Sequence, residues 1–257
     1  SDFISIFQFN FPKTLEEGIV QGRFKRFFAQ IQTPEGEITA HLPNTGSLKG
    51  VNVKGMPCLY SKSDDPNRKL AFTLEAIQSD SGVWVGINTQ TPNRIIKQVL
   101  LEKFNPAWAK FEFMKPEYSI SKETRFDFAL GNQTFEVEKK SKLAKPKTGP
   151  IHLIEVKNVT MLEKRGDSKI ALFPDSVTER GQKHMRELGE MSQRGFSSEI
   201  VYFIQRSDAE SFDVADHIDP EYAKIYRTVT KGQVKLSLAY GNFQQDGLSL
   251  KIKQSKI

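Results

Sequence analysis

A helical pattern from Val177 to Arg194 runs directly into a near-continuous apolar stretch, Ser198 to Gln205. That junction limits the fold more than any other feature of the chain. An apolar strand reached through a crossover helix is ordinarily parallel to its predecessor and buried on both faces. The predecessor reads as Leu153 to Val159. In the helix, Val177, Gly181, His184, Leu188 and Met191 form an apolar stripe at helical spacing, and Ser176 with Glu179 has the S-x-x-E form of a capping box. Further strands are expected near Lys110 to Tyr118, Arg125 to Leu130, Val234 to Tyr240 and Leu248 to Lys253, with another helix from Asp219 to Thr230. This order implies a mixed sheet with helices on its faces.

The chain before residue 90 has a different rhythm. Phe24 to Thr33, Glu37 to Leu42, Met56 to Ser61, Leu70 to Gln78 and Val83 to Asn88 read as short strands, and Pro34-Glu35-Gly36 closes the first hairpin. Five strands without a helix suggest a small barrel. Thr91-Pro92 then supplies a cap and a first-turn proline to a helix in which Ile95, Ile96, Val99, Leu100 and Phe104 repeat at helical spacing. An α/β chain with a barrel over residues 1–90 and a mixed-sheet domain over 91–257 is the expectation.

Composition narrows the chemistry. Apolar runs such as Ile200 to Ile204 fall far short of the roughly 20 residues a membrane helix needs. Ser1 to Phe11 lacks the basic head of a secretory signal, so a cytoplasmic location is the expectation. Cys58, the single cysteine, rules out an internal disulfide and Cys-rich zinc modules, and reads as a small core residue. The net charge of +6 is uneven: residues 1–91 carry nine basic and nine acidic side chains, so the excess lies beyond them. Five lysines between Lys139 and Lys147 supply much of it, as a solvated hairpin tip or as an arm touching phosphates.

Several motifs lead nowhere. Leu42-Pro43-Asn44-Thr45-Gly46 matches a sortase signal but lies early in the chain without a hydrophobic anchor after it. Gly50 to Gly55 imitates the start of a phosphate-binding loop, yet Met56-Pro57 stands where Lys and Ser/Thr must be. His41, His152, His184 and His217 lack H-E-x-x-H spacing, and no G-x-S-x-G turn occurs.

The acid-x-lysine pattern occurs at Glu138-Lys139-Lys140, Glu155-Val156-Lys157 and Asp167-Ser168-Lys169, and context separates the three. Only the second sits in a largely apolar strand, where burying charged groups is costly. Alternation puts Leu153, Glu155 and Lys157 on one face, so the two charged groups project together. Asp127 is a lone carboxylate in the aromatic strand Phe126 to Leu130, and pairing the two strands would bring it near Glu155. Two carboxylates suit Mg²⁺ or Mn²⁺, whose charge could polarise a phosphodiester while Lys157 stabilises the developing negative charge. An ion pair of Lys157 with either acid inside the sheet fits the same residues.

Taken together, Asp127, Glu155-Val156-Lys157, Pro43-Asn44-Thr45-Gly46 and above all the run from Phe173-Pro174-Asp175 to Gly181-Gln182-Lys183-His184 resemble the sugar fermentation stimulation protein A family. The resemblance spans about residues 16–252. It implies an N-terminal OB-like barrel joined to a PD-(D/E)XK nuclease-like domain, in DNA-binding regulators linked to sugar use. Carried over, Asp127 and Glu155 would be ligands of Mg²⁺ or Mn²⁺, Lys157 the catalytic lysine, and Gln182 a helix residue facing the site. DNA would be the partner, with Asn44 and Lys183 among its contacts. An active Mg²⁺-dependent nuclease is the alternative.

The chain departs from the nuclease pattern in having Phe126, not Pro, before Asp127. A further carboxylate on the first helix would be Glu102, although Gln98 is equally placed. His184 reads as a packed histidine or as a site residue, and Gln182 and Lys183 also fit ordinary solvent positions. Arg23, Lys25 and Arg26 alternate with Phe24, Phe27 and Phe28 as in an OB-type strand that stacks bases, although a strand with one solvated face gives the same pattern.

Overall fold

The computed structural model describes residues 5–44, 46, 48, 53–132 and 149–254. The Lys139–Lys147 stretch lies outside them. Strand β1 (Phe7–Asn10) is followed by β2 (Glu16–Phe24), β3 (Phe28–Thr33), β4 (Gly36–His41), β5 (Pro57–Lys62) and β6 (Phe72–Gln78). Strand β2 pairs with β3 and β5, β3 with β4, β4 with β6 and β6 with β5, so five strands close on themselves. This is the OB-like barrel, with a single parallel contact at β4–β6. Val20, Ala29, Ile31, Leu42, Tyr60 and Leu74 fill it. Cys58 is buried there, and burial pushes its thiol up to about 12, as suits an inert core residue. Gly18 is required by packing, since a Cβ would stand 2.6 Å from Ile31 Cγ2 and 2.9 Å from the Gln32 carbonyl oxygen.

The expected strand from Phe24 to Thr33 is instead the second half of a hairpin. Strand β2 ends at Phe24 and β3 begins at Phe28, with Phe24 opposite Phe28. Between them Lys25 and Arg26 take positive φ values of 48° and 63°, reversing the chain without a glycine. The basic and aromatic residues therefore crowd a turn, not a strand face.

Beyond the barrel come β7 (Trp84–Gly86), α1 (Thr91–Leu101), the short α2 (Pro106–Ala109), β8 (Phe113–Ser119), β9 (Arg125–Gly131) and β10 (Ile151–Val159). A hairpin of β11 (Met161–Arg165) and β12 (Ser168–Phe173) precedes α3 (Glu179–Gln193) and β13 (Ser197–Ile204). The chain closes with β14 (Ser211–Val214), α4 (Pro220–Thr230), β15 (Val234–Phe243) and β16 (Gly247–Gln254). As the crossover argument requires, β10, β13 and β15 are mutually parallel. Strands β9 and β8 extend the β10 edge antiparallel, and β16 pairs antiparallel with β15.

Helices cover both faces. On one, Met185, Leu188 and Met191 of α3 and Tyr222 of α4 pack on Leu153, Ile200 and Tyr202. On the other, Ile95, Ile96 and Val99 of α1 pack on Ile154, Val156, Val201 and Phe203. Each such fully buried aliphatic side chain stabilises the fold by about 1.5–3 kcal/mol. Strand β2, which takes the barrel place expected for Val83 to Asn88, escaped the sequence, as did the sheet of β11, β12 and β14, the docking of β1 on β16, and the ladder that continues from β6 through β7 to β15 by the single pair Trp84 and Phe243. The change of architecture near residue 90 thus occurs along one hydrogen-bonded ladder. Among the described residues, no helix is long and apolar enough to cross a membrane.

Candidate metal centre and nucleic-acid cleft

Strands β9 and β10 pair in register from Gly131 and Ile151 up to Phe128 and Ile154, and there the ladder ends. The next residues are Asp127 and Glu155. Past this fork the Val156 N–H has no strand partner on the β9 side and donates instead to Asp127 Oδ2 at 2.8 Å. The Asn93 amide on the first turn of α1 donates to Asp127 Oδ1 at 2.8 Å. Asp127 is thereby held from the sheet and from α1 together.

Glu155 is buried on the same fork, only 4% exposed. Lys157 Nζ stands 3.9 Å from Glu155 Oε2, and His184 Nδ1 stands 3.1 Å from the same oxygen. Lys157 Nζ and His184 Nδ1 are 2.9 Å apart. Burial, a hydrogen bond with Glu155 and the like charge of Glu155 push the Asp127 carboxyl up to about 8. Burial and the Lys157 ammonium lower the His184 imidazole to about 4, so it is neutral at ordinary pH. The pair of carboxylates calls for a shared proton or a cation, and Lys157 alone does not meet that demand.

These groups lie in a cleft of ≈ 560 Å³ between the barrel and the sheet, to which the barrel contributes Arg26, Asn44 and Gly46 and the N-terminal end of α3 contributes Thr178 and Arg180. Helix α3 starts two residues later than the S-x-x-E motif predicts: its cap is Thr178, whose hydroxyl accepts the Gly181 N–H at 2.9 Å. Ser176 is therefore not the cap, and the N–H of the actual cap, Thr178, is fixed by Asp219 Oδ2 at 2.9 Å.

Asp127, Glu155 and Lys157 are brought together as their strand positions implied. Gln182 is not. Its amide donates to Asp219 Oδ1 and Oδ2 at 3.0 and 3.1 Å, tying α3 to the cap of α4. The Arg23 guanidinium is spent on backbone, donating to the carbonyls of Arg26, Asn44 and Gly46. Asn44 is buried, donating to the Ile87 carbonyl at 2.8 Å and accepting the Gly46 N–H at 2.8 Å, so both residues shape the cleft wall. Lys25 and Arg26 are exposed at the hairpin turn. Lys183 is also exposed and reaches Glu187 and the Glu123 carbonyl. Glu102 lies at the far end of α1, hydrogen-bonded to Gln98 and away from the carboxylates. Asn93 is the site residue the sequence did not signal, and His184 is a site residue despite lying on the apolar stripe.

Two family models divide the chain where its architecture changes. One, described as the sugar fermentation stimulation protein RE domain, matches residues 90–247, and the other, the SfsA N-terminal OB domain, matches 22–87. The chain belongs to the sugar fermentation stimulation protein family. A sugar fermentation stimulation protein homolog of Bdellovibrio bacteriovorus is 47% identical over 236 residues, covering 88% of this chain and 90% of the relative. One from Geobacter metallireducens is 39% identical over 231 residues, covering 89% and 90%. A solved structure described as Pyrococcus furiosus SfsA in complex with Ca²⁺ matches with a TM-score of 0.76 over 96% of this chain and 95% of that one. At 19% identity that likeness establishes the shared fold.

Proposed function

We propose that this member of the family is a DNA-binding protein whose PD-(D/E)XK-like site holds Mg²⁺ or Mn²⁺ between Asp127 and Glu155. The observation that carries the reading is the meeting of the two carboxylates at the β9–β10 fork, with Lys157 beside them, in a cleft bordered by the OB barrel. The donor set fits a hard divalent cation. Among the described residues no group of three or more His, Cys, Asp and Glu side chains is assembled for a metal. Two carboxylates with the remaining positions left to water and phosphate oxygens is the manner in which Mg²⁺ is usually held. The Ca²⁺ named with the Pyrococcus relative supports a divalent-cation site in this fold.

When bound, such a cation would polarise a phosphodiester and acidify a water. The chain's own residues do the rest. Asn93 and the Val156 N–H fix the Asp127 carboxylate, and Lys157 places an ammonium where negative charge on a phosphate would grow. His184 keeps that ammonium on the Glu155 side of the cleft. Arg26 and Arg180 offer positive charge at the walls, and the OB barrel supports a nucleic-acid partner. The link to regulation of sugar metabolism rests on the name of the relatives.

The meeting of Asp127, Glu155 and Lys157 favours a second reading, Mg²⁺-dependent phosphodiester hydrolysis, because DNA binding alone does not require an acid pair that repels phosphate without a metal. Gel shift in Ca²⁺ and cleavage assays in Mg²⁺ and Mn²⁺, on duplex, single-stranded and branched DNA, separate the two. Binding without cleavage of any substrate would leave the first reading and remove the second, and absence of binding in every condition would remove both. Under the second reading Glu155→Gln abolishes cleavage, and Lys157→Ala slows it by about 10²–10³-fold, the usual effect of losing one transition-state donor.

A further inference from the structure

A second cleft, of ≈ 440 Å³, opens between the barrel and the first turn of α1, lined there by Gln90 and Arg94 where the carboxylate cleft is lined by Pro92 and Asn93. Lys62, Arg68 and Arg94 line it, and among the described residues none of the three forms an ion pair with a carboxylate, although, behind Lys13, the Lys62 charge helps to lower the nearby Asp64 carboxyl. Lys62 lies over the Phe72 ring, with Nζ 5.9 Å from its centroid, and Arg68 donates to the Thr73 hydroxyl at 2.9 Å. Lys13, at the rim, is by contrast neutralised by Asp64 at 2.6 Å. Three carboxylates line the cleft: Glu16 is exposed, Asp64 carries Lys13, and on the floor lies Glu75, which is 5% exposed. It accepts from the Ser61 hydroxyl at 2.8 Å and from the Asn88 amide at 2.9 Å, one bond to each oxygen. Each oxygen keeps a further lone pair for another donor.

Three cations without a directly bonded carboxylate, beside a fixed, buried acceptor, form an arrangement that separates two kinds of group on one molecule. The cations suit a phosphate, while the carboxylate repels phosphate and suits a hydroxyl. We propose that this cleft binds a small phosphomonoester with a hydroxylated body, a sugar phosphate or a mononucleotide, with Lys62, Arg68 and Arg94 on the phosphate and Glu75 on a hydroxyl. The volume lies within the roughly 300–1,000 Å³ typical of small-molecule sites. A DNA strand is the poorer occupant, since the carboxylate floor would face a continuous row of phosphates. The site is tied to the other cleft through α1: the Gln90 N–H donates to Asn88 Oδ1 at 2.9 Å, and Asn93, next to Arg94, holds Asp127.

Isothermal titration of the full chain with glucose 6-phosphate, AMP, glucose, inorganic phosphate and a short single-stranded oligonucleotide tests this. At least one of the two phosphomonoesters should bind one-to-one and more tightly than inorganic phosphate, and glucose should not bind. The choice between the two esters identifies the body. Arg94 is exposed, so Arg94→Gln should leave the melting temperature unchanged and weaken the ester by about tenfold or more, the loss of one charge-assisted bond. The proposal is overturned if neither ester gives heat at millimolar concentration, if inorganic phosphate binds as well as the esters, or if Arg94→Gln binds unchanged. It is also overturned if only the oligonucleotide shows Arg94-dependent binding, which would make the cleft part of a nucleic-acid track.

Discussion

His184 Nδ1 lies 2.9 Å from Lys157 Nζ, and the same nitrogen is 3.1 Å from Glu155 Oε2. A neutral imidazole nitrogen carries either a lone pair or a proton, so Nδ1 serves the lysine or the glutamate, one at a time. Burial and the neighbouring ammonium hold the ring at about 4, below the range where histidines ordinarily titrate. In the metal-free protein, the His184 ring resonances should therefore stay flat between pH 5.5 and 8 when followed by NMR. A midpoint near 6.5 would show that Lys157 does not stand where the structure puts it.

Asp127 gives the opposite signature. With its carboxyl raised from 3.8 to about 8, the native state holds a proton that the unfolded chain releases across that window. The native state then binds more protons than the unfolded state, so this group's contribution to stability falls as pH rises from about 4 to 8. A divalent cation removes the cause, since it takes the place of the proton between the acids. In EDTA, Asp127→Asn should raise the melting temperature at pH 8 relative to wild type and change it much less at pH 5. Each kcal/mol recovered corresponds to about 2–4 °C for a chain of this size. Mg²⁺ or Ca²⁺ should stabilise the wild type more at pH 8 than at pH 5, and equal shifts at both would rule out the paired-acid site.

Asp127, Glu155 and Lys157 were legible in the sequence because strand alternation is a local rule, and charged groups in apolar strands have few explanations. The parallel order of β10 and β13 followed from the crossover helix in the same way. Gln182 was misplaced although helix geometry contained a warning: residues two apart are turned by about 200°, so His184 and Gln182 cannot both face one cleft. The role of Arg23 was hidden because the carbonyls it binds at Asn44 and Gly46 are 21 and 23 residues away. Asn93 reaches Asp127 across 34 residues, a contact made by the docking of α1 and not by any local pattern.

The true partner of Gln182 carries its own prediction. Asp219 accepts from Gln182, from the Thr178 N–H and from the Tyr222 N–H, joining the starts of α3 and α4. Burial alone would raise its carboxyl, but these donors outweigh burial and lower it. Its contribution to stability is therefore present above the unfolded pKa near 3.9 and is lost as pH falls through the lowered folded value. Gln182→Ala should cost about 1 kcal/mol and Asp219→Ala about 2 kcal/mol or more in urea unfolding at pH 7, since the latter strands two helix-start N–H groups. Neither should alter the stabilisation gained from Mg²⁺. A loss of that gain in Gln182→Ala would return the residue to the metal site.

The hairpin turn between β2 and β3 separates charge from stacking in DNA binding. Lys25 and Arg26 are exposed there, and Arg26 also lines the carboxylate cleft. Phe24 and Phe27 are 38% and 42% exposed, an unusual surface cost for two aromatic rings in one turn. If the turn meets nucleic acid, its cations act through phosphates, and log K should fall with log salt by about 0.9 per phosphate on duplex and about 0.7 on a single strand. Lys25→Ala and Arg26→Ala should each reduce that slope by roughly one phosphate and weaken all sequences alike. Phe27→Ala should leave the slope unchanged and weaken single-stranded DNA by about 1–3 kcal/mol, the usual worth of stacking one base on an aromatic ring. Duplex affinity should move little, because paired bases are already stacked on each other. Fluorescence anisotropy over a salt series with both substrates reads all of these effects. Equal losses on duplex and single strand for Phe27→Ala would mean the ring supports the turn's shape and does not stack a base, and an unchanged slope in both cation variants would place the DNA elsewhere on the protein.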